Sequence, residues 1–266
     1  MASEAGIGPK NIVLEIGPGR GILTKELLKT GAGVVAVEKD IKLFNFLNKK
    51  FETSILSGHL TLVRADIRDF LCGQNGQNRV LTIRGKNSVL TIDGVVANIP
   101  YYLTGQLLRL LLVQVGLGPL VLMLQKEVAK RIVSGQNSVL TTNGENRVLT
   151  KMTKMSLLAI SVWVYAEPKI AFLVKRGNFW PQPKVDSAVV VLKRRKKSFF
   201  RQHKINQKGF FDTVKAGFAH PRKLLKNNLK LSDIRYLIKC GVEENARAED
   251  LSLENWVCLT KGVLKL

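Results

Sequence analysis

Five short apolar runs recur along the first half of the chain, at intervals that a helix would fill. They are "NIVLEIG" (11–17), "GVVAVE" (33–38), "LTLVRAD" (60–66), "GVVAN" (94–98) and "PLVLMLQ" (119–125). Such runs do not alternate with polar residues, so the strands they form are buried on both faces. Leu23 and Leu27 mark a helical face after the first run, and helices are expected over 40–51 and 103–113. Strands alternating with helices pair in parallel, giving an α/β sheet covered on both sides. A helix around 155–166 and two β-rich segments, 169–176 and 185–192, follow; beyond residue 207 the pattern is helical.

The change of pattern coincides with a change of charge. The net charge is +22 at pH 7, and residues 193–266 hold 18 Lys or Arg against 7 Asp or Glu. Lys193, Arg194, Arg195, Lys196 and Lys197 form an unbroken basic run inside "KRRKKSFFRQHK" (193–204), which is expected to link two domains. Arg222, Lys223 and Lys226 are expected close together on a helix. A clustered excess of this kind suits a polyanion, above all nucleic acid, with binding that weakens as salt rises. Cys72, Cys240 and Cys258 make no C-x-x-C pair and the histidines are dispersed, so neither a disulfide framework nor a metal site is indicated. The most apolar stretch, 107–124, is broken by Arg109, Gln114, Gly116, Gly118 and Pro119, which reads as helix, turn and strand, not a membrane span. The N-terminus has no signal-peptide pattern, and a cytoplasmic location is expected.

The ends of the apolar runs carry the chemistry. "LEIGPGRG" puts Gly17, Gly19 and Gly21 between a strand and a helix, where glycines let a ligand approach the backbone. Glu38 ends the second run, 21 residues after Gly17, suitably for a ribose diol. Asp66 ends the third, suitably for the exocyclic amine of an adenine. Ligands of open α/β sheets bind at carboxyl ends of strands, and a dinucleotide would satisfy these residues as well as an adenosyl cofactor would.

Asn98 decides for the adenosyl cofactor. In "NIPYYLTG" (98–105) it opens a loop that Pro100 stiffens and Tyr101 follows. An adenine amine is a poor nucleophile because its lone pair is delocalised into the ring. The Asn98 side-chain oxygen and the Ile99 carbonyl can each accept an amine hydrogen and stabilise the positive charge that develops on attack. Tyr101 offers a ring for stacking and cation–π support. In "NFWPQPKVDSAVV" (178–190), Phe179 precedes a loop stiffened by Pro181 and Pro183 and could close over an extruded base.

With "LEIGPGRGILT", "VVAVEKD", "ADIRDF", "VVANIPYYLTG", "LMLQKEVAKRIVSG", "FWPQPKVDSAVV", "FDTVKAGFAHPRKLLKNNL" and "RAEDLSLENW" in order along nearly its whole length, the chain resembles the ribosomal RNA adenine N6,N6-dimethyltransferases, the KsgA family. The resemblance implies a Rossmann-like class I methyltransferase sheet with a small C-terminal helical domain. It divides the chain into an S-adenosylmethionine-dependent methyltransferase domain, 1–195, and a helical RNA-binding domain, 205–266. It further implies S-adenosylmethionine as cofactor, held by Gly17, Gly19, Glu38, Asp66, Ile67 and Asn98. The catalytic loop would be Asn98, Ile99, Pro100 and Tyr101, with Phe179 stacking on the base. Lys193, Arg194, Arg195, Arg222, Lys223 and Lys226 would contact RNA. The substrate would be two adjacent adenines in a hairpin near the 3′ end of small-subunit ribosomal RNA, in immature subunits, and a monomer is expected. A related large-subunit dimethyltransferase and an RNA-binding assembly protein with little catalysis are the alternatives.

Two features depart from the family pattern. Members usually carry a Gln-Asn-Phe-Leu stretch well before the glycine loop; this chain has sixteen residues before Gly17 and lacks it, so an open cofactor pocket, a reduced affinity or a truncated form is expected. The pentapeptide N-[RS]-V-L-T occurs at 78–82, 87–91, 137–141 and 146–150, in two pairs with glycine-containing joints. Each pair is expected to form a β-hairpin inserted in a surface loop, because lengthening such a loop costs little.

Overall fold

The computed structural model describes residues 1–72, 82–84, 89–114, 118–134, 154–231 and 233–263, and it separates into two compact units. The first comprises Met1–Ala129 and Ala166–Arg194. Its chain runs β1 (Ile12–Ile16), α1 (Ile22–Leu28), β2 (Gly33–Glu38), α2 (Ile41–Lys50), α3 (Glu52–Leu56), β3 (Leu60–Arg64) and α4 (Ile67–Cys72). A short hairpin, β4 (Thr82–Arg84) and β5 (Val89–Thr91), precedes β6 (Gly94–Asn98), α5 (Thr104–Gln114), β7 (Leu120–Gln125) and α6 (Lys126–Val133). After α7 (Leu157–Trp163), which belongs to the second unit, β8 (Ala166–Val174) and β9 (Ser187–Arg194) complete the sheet.

The sheet has seven strands in the order β3-β2-β1-β6-β7-β9-β8. The first five pair in parallel, while β9 runs antiparallel to both β7 and β8. This is the order of a class I methyltransferase sheet, as expected. Parallel pairing follows from the sequence: β1, β2, β6 and β7 are buried on both faces, so helices must cover both sides and return the chain to the starting edge, whereas β3 departs from the expectation, lying at the sheet edge with only Leu60 buried. Local signals fix the helix starts. Asp40 caps α2 by accepting from the Lys42 and Leu43 N–H groups, and Lys49 and Lys50 sit in its last turn, where cations suit the helix dipole. The first repeat pair falls partly in the described residues, where β4 pairs antiparallel with β5, Thr82 opposite Thr91. The second pair lies outside them.

The second unit comprises 130–165 and 195–266. Besides α7 it contains α8 (Phe199–His203), α9 (Gln207–Gly217), α10 (Leu225–Asn228), α11 (Arg235–Lys239) and α12 (Leu253–Val263). Side-chain oxygens of Ser156, Ser198 and Asn206 cap α7, α8 and α9. Their apolar faces meet in a core with Phe210 and Trp256 fully buried, and Met155, Ala159 and Ile160 pack into that core from the earlier segment. Cys240 and Cys258 are joined by a disulfide, Cα atoms 5.5 Å apart, which corrects the expectation drawn from their spacing. Tertiary folding brings the end of α11 beside α12, and no local motif announces that. Among the described residues no helix is long and apolar enough to cross a membrane.

Candidate active site

The turn from β1 to α1 is built on three glycines with positive φ: Gly17 at 64°, Gly19 at 59° and Gly21 at 75°. They serve different ends. A Cβ on Gly21 would run into the Phe51 ring and lie 2.8 Å from Leu47, so this glycine lets α1 pack on α2 and α3. A Cβ on Gly17 or Gly19 would meet nothing within 4 Å, which leaves an open cradle of bare backbone. The Gly17 N–H donates to the Val37 carbonyl (3.0 Å) and the Gly19 N–H to Glu38 Oε2 (3.2 Å). Glu38 Oε1 also accepts from the Asp40 N–H (2.9 Å). Buried Glu38 therefore ties the glycine loop to the end of the neighbouring strand.

Asp66, just past β3, is enclosed by cations. Its Oδ1 accepts from the Arg68 N–H (2.9 Å) and Nε (3.0 Å); its Oδ2 accepts from an Arg68 terminal nitrogen (2.7 Å) and from Lys39 Nζ (3.0 Å). The Arg68 guanidinium and backbone, then Lys39, hold this carboxyl well below the usual range. Each Asp66 oxygen already takes two donors, so an incoming amine would have to displace one, and Lys39 is the most exposed of them. Ile67 is buried beside it.

Asn98 is exposed at the end of β6, opposite Met123 of β7. Ile99 is buried, with its N–H directed at the Met123 carbonyl (3.3 Å). The Tyr101 hydroxyl hydrogen-bonds Ser187 Oγ at the start of β9 (3.0 Å), and Thr104 Oγ1 donates to the Tyr101 carbonyl (3.0 Å). Pro100 and these bonds hold the loop on both flanks. Phe179, between β8 and β9, is half-buried against the core around Met123. Gly17, Glu38, Asp66 and Asn98 thus stand at the carboxyl ends of β1, β2, β3 and β6, four neighbouring strands of the sheet. Open glycines, a fixed carboxylate beside them and a second one a strand away fit an adenosyl group.

Several partners were not singled out from the sequence. Arg68 follows Asp66 by two residues, a spacing at which an aspartate engages backbone and side chain locally, so that signal was available. Ser187 carried none, since it meets Tyr101 only through the sheet. Glu15 sits inside the first apolar run with no exposure at all, and neither side-chain oxygen has a hydrogen-bond partner among the described residues. Burial pushes its carboxyl up to about 7; neighbouring Thr24 pulls the other way, and the Glu38 charge adds to the rise.

The basic residues divide. Lys193, Arg222 and Lys223 are exposed, and Lys226 pairs with Glu244 (2.7 Å). Arg194 donates to the Leu111 and Leu112 carbonyls at the end of α5, and Arg195 Nε to the Trp163 carbonyl (2.9 Å). The expected helix through 222–226 is a turn followed by the short α10, which contains only Lys226 of the three. The Lys223 N–H closes a turn onto the His220 carbonyl (2.9 Å), and Leu224 is extended, so α10 begins only at Leu225.

A family profile described as "Ribosomal RNA adenine dimethylase" matches residues 1–263. A protein named ribosomal RNA small subunit methyltransferase A from Dehalococcoides mccartyi is 34% identical over 97% of this chain and 81% of its own length. A protein of the same name from Listeria welshimeri is 36% identical over 86% of this chain and 70% of its own. Among solved structures, the 23S rRNA methyltransferase ErmE shares the fold with a TM-score of 0.68 and 23% identity, covering 100% of this chain and 95% of that one. A dimethyladenosine transferase from Plasmodium falciparum does so at 0.65 and 22%, covering 98% and 92%.

Proposed function

This chain belongs to the ribosomal RNA adenine dimethylase family, and on that premise we propose that it transfers methyl groups from S-adenosylmethionine to N6 of two adjacent adenines. The substrate is a hairpin near the 3′ end of small-subunit ribosomal RNA, in immature subunits in the cytoplasm. The name shared by its relatives in Dehalococcoides and Listeria supports the choice of subunit. The observation that carries the chemistry is an exposed Asn98 opening a loop fixed by Pro100 and by the Tyr101–Ser187 bond, beside the glycine cradle.

S-adenosylmethionine, when bound, supplies an electrophilic methyl group. The bare backbone of Gly17 and Gly19 admits the cofactor, Glu38 accepts ribose hydroxyls on its remaining lone pairs, and Asp66, with Ile67 beside it, takes the adenine amine. Asn98 Oδ1 and the Ile99 carbonyl accept the N6 hydrogens of the target base, which returns the lone pair to nitrogen. The positive charge that N6 would gain on bonding to the methyl carbon, as the sulfonium–methyl bond breaks and S-adenosylhomocysteine leaves, would be stabilised by these two oxygens. Tyr101 and Phe179 hold the base by its faces. The methylated ammonium is acidic and loses its proton to water. The domain of residues 1–195 performs the transfer, and the helices of 205–266, with Lys193, Arg222, Lys223 and Lys226, grip phosphates, whereas Arg194 and Arg195, which donate to the carbonyls of Leu111, Leu112 and Trp163, hold the fold.

The test incubates the chain and an Asn98→Ala variant with labelled S-adenosylmethionine and unmethylated immature small subunits, then searches digested RNA for dimethyladenosine. Its appearance with the parent chain alone supports the reading. Particles bound without methyl transfer would make this an RNA-binding assembly protein instead.

A further inference from the structure

The chain has three tryptophans. Trp256 is fully buried, and Trp163 is half-buried with its Nε1 donating to the Ile132 carbonyl (2.8 Å). Trp180 is 94% exposed, although an indole is among the largest apolar groups a protein can bury. It follows Phe179 directly, so one short loop carries an inner ring packed on the core and an outer ring in solvent. The catalytic-loop candidate repeats the pattern: Tyr101 is tied to Ser187, and Tyr102 is 86% exposed.

The Trp180 loop is also cationic and fastened at its base. Lys175, Arg176 and Lys184 are exposed on it. The Arg176 N–H donates to Asp186 Oδ1 (3.1 Å), the Lys126 N–H donates to the Asp186 carbonyl (3.0 Å), and Lys126 Nζ lies 3.7 Å from Asp186 Oδ2. An exposed aromatic held among cations on an anchored loop matches what unpaired nucleic acid requires: a ring for the base and charge for the phosphates. A lipid surface would call for a continuous apolar face, whereas the exposed apolar residues of this segment, Phe172, Leu173, Trp180 and Val185, are interspersed with exposed Lys175, Arg176 and Lys184.

We propose that Trp180 is a stacking platform for an unpaired nucleotide flanking the target adenine, with Tyr102 offering a second outer ring on the loop that follows β6. This rests on the reading of an RNA adenine substrate. Phe179 then takes the flipped base, and Trp180 takes a neighbour that remains outside the pocket.

The experiment titrates the full chain, without cofactor, with a hairpin RNA bearing two adjacent adenines in its loop and with a fully paired duplex of equal length, following tryptophan fluorescence. The hairpin should quench the signal more strongly than the duplex, and Trp180→Ala should abolish that difference. The Ala variant should weaken hairpin binding by about five-fold or more, as loss of one stacked base does, while Trp180→Phe stays near the parent. The salt dependence should be unchanged in Trp180→Ala and shallower in Lys184→Ala. Unchanged hairpin affinity in Trp180→Ala overturns the proposal, as does quenching by anionic phosphatidylserine vesicles with no response to RNA. If Trp180-dependent binding is found but no methyl is transferred to RNA, the proposed function fails, and Trp180 is a stacking platform for unpaired RNA without a target adenine beside it.

Discussion

At the scale of single residues, the glycine loop combines packing and binding in consecutive turns, and substitution should separate them. Gly19→Ala places a side chain in a left-handed conformation with open space above it, costing about 1–2 kcal/mol of backbone strain. Its main effect should be loss of cofactor affinity, read by calorimetry, because the methyl occupies the cradle. Gly21→Ala suffers the same strain and drives a methyl into the Phe51 ring, so urea unfolding should show a larger destabilisation, by about a further 1–3 kcal/mol. Glu15 gives a pH prediction. Its folded pKa is raised from 4.5 to about 7, so the stability its proton confers is complete below pH 4.5 and lost as pH rises through 7. Glu15→Gln has no such loss. The stability gap in favour of the variant should widen by about 3 kcal/mol between those limits, and a gap that stays constant with pH would refute the assignment. The loop and its acids were legible because they form a compact local motif. Glu15 was not singled out, because its perturbation depends on the folded sheet, in which it is paired between Ala36 of β2 and Val96 of β6.

At the scale of elements, the basic run at 193–197 shows what a strand does to a charge pattern. Read as sequence it is one solvated patch. On β9 successive side chains face opposite ways, so Lys193 points to solvent while Arg194 turns inward onto the last carbonyls of α5. A guanidinium there satisfies orphan C=O groups and opposes the negative end of the helix. The helix it caps begins immediately after the catalytic-loop candidate. Arg194→Leu should therefore act on stability, costing about 1.5–3 kcal/mol in urea unfolding, with the salt dependence of RNA binding preserved. Lys193→Ala should do the reverse, leaving the unfolding midpoint in place and lowering the salt slope by about one. The strands themselves were legible because a run buried on both faces has few other homes. The antiparallel placement of β9 between β7 and β8 was not, since pairing partners far apart in sequence leave no local mark.

At the scale of the whole molecule, the second unit draws on two stretches of chain. The later stretch contributes Phe210, Leu237 and Trp256, and α12 is fastened to the end of α11 by the Cys240–Cys258 disulfide and by Asn255 Nδ2 donating to the Cys240 carbonyl (2.7 Å). The earlier one contributes Met155, Ala159, Ile160 and Val164 to the same core. The Met155 N–H donates to the Glu249 carbonyl (2.7 Å), and Lys154 pairs with the Glu249 side chain, so the seam is hydrogen-bonded as well as apolar. The sequence predicts a helix around 155–166 but not what it packs against, and a change of pattern and charge together placed the boundary near 195. A polypeptide of residues 195–266 would expose the core surface that α7 covers, too large a loss for a unit of that size to absorb. It should give the weak, non-cooperative thermal transition of a loosely packed chain. Adding residues 154–165 as a separate peptide should restore a sharp transition, followed by circular dichroism. A sharp transition from 195–266 alone would mean that the disulfide and the aromatic cluster suffice, and that α7 is an accessory to this core and not one of its walls.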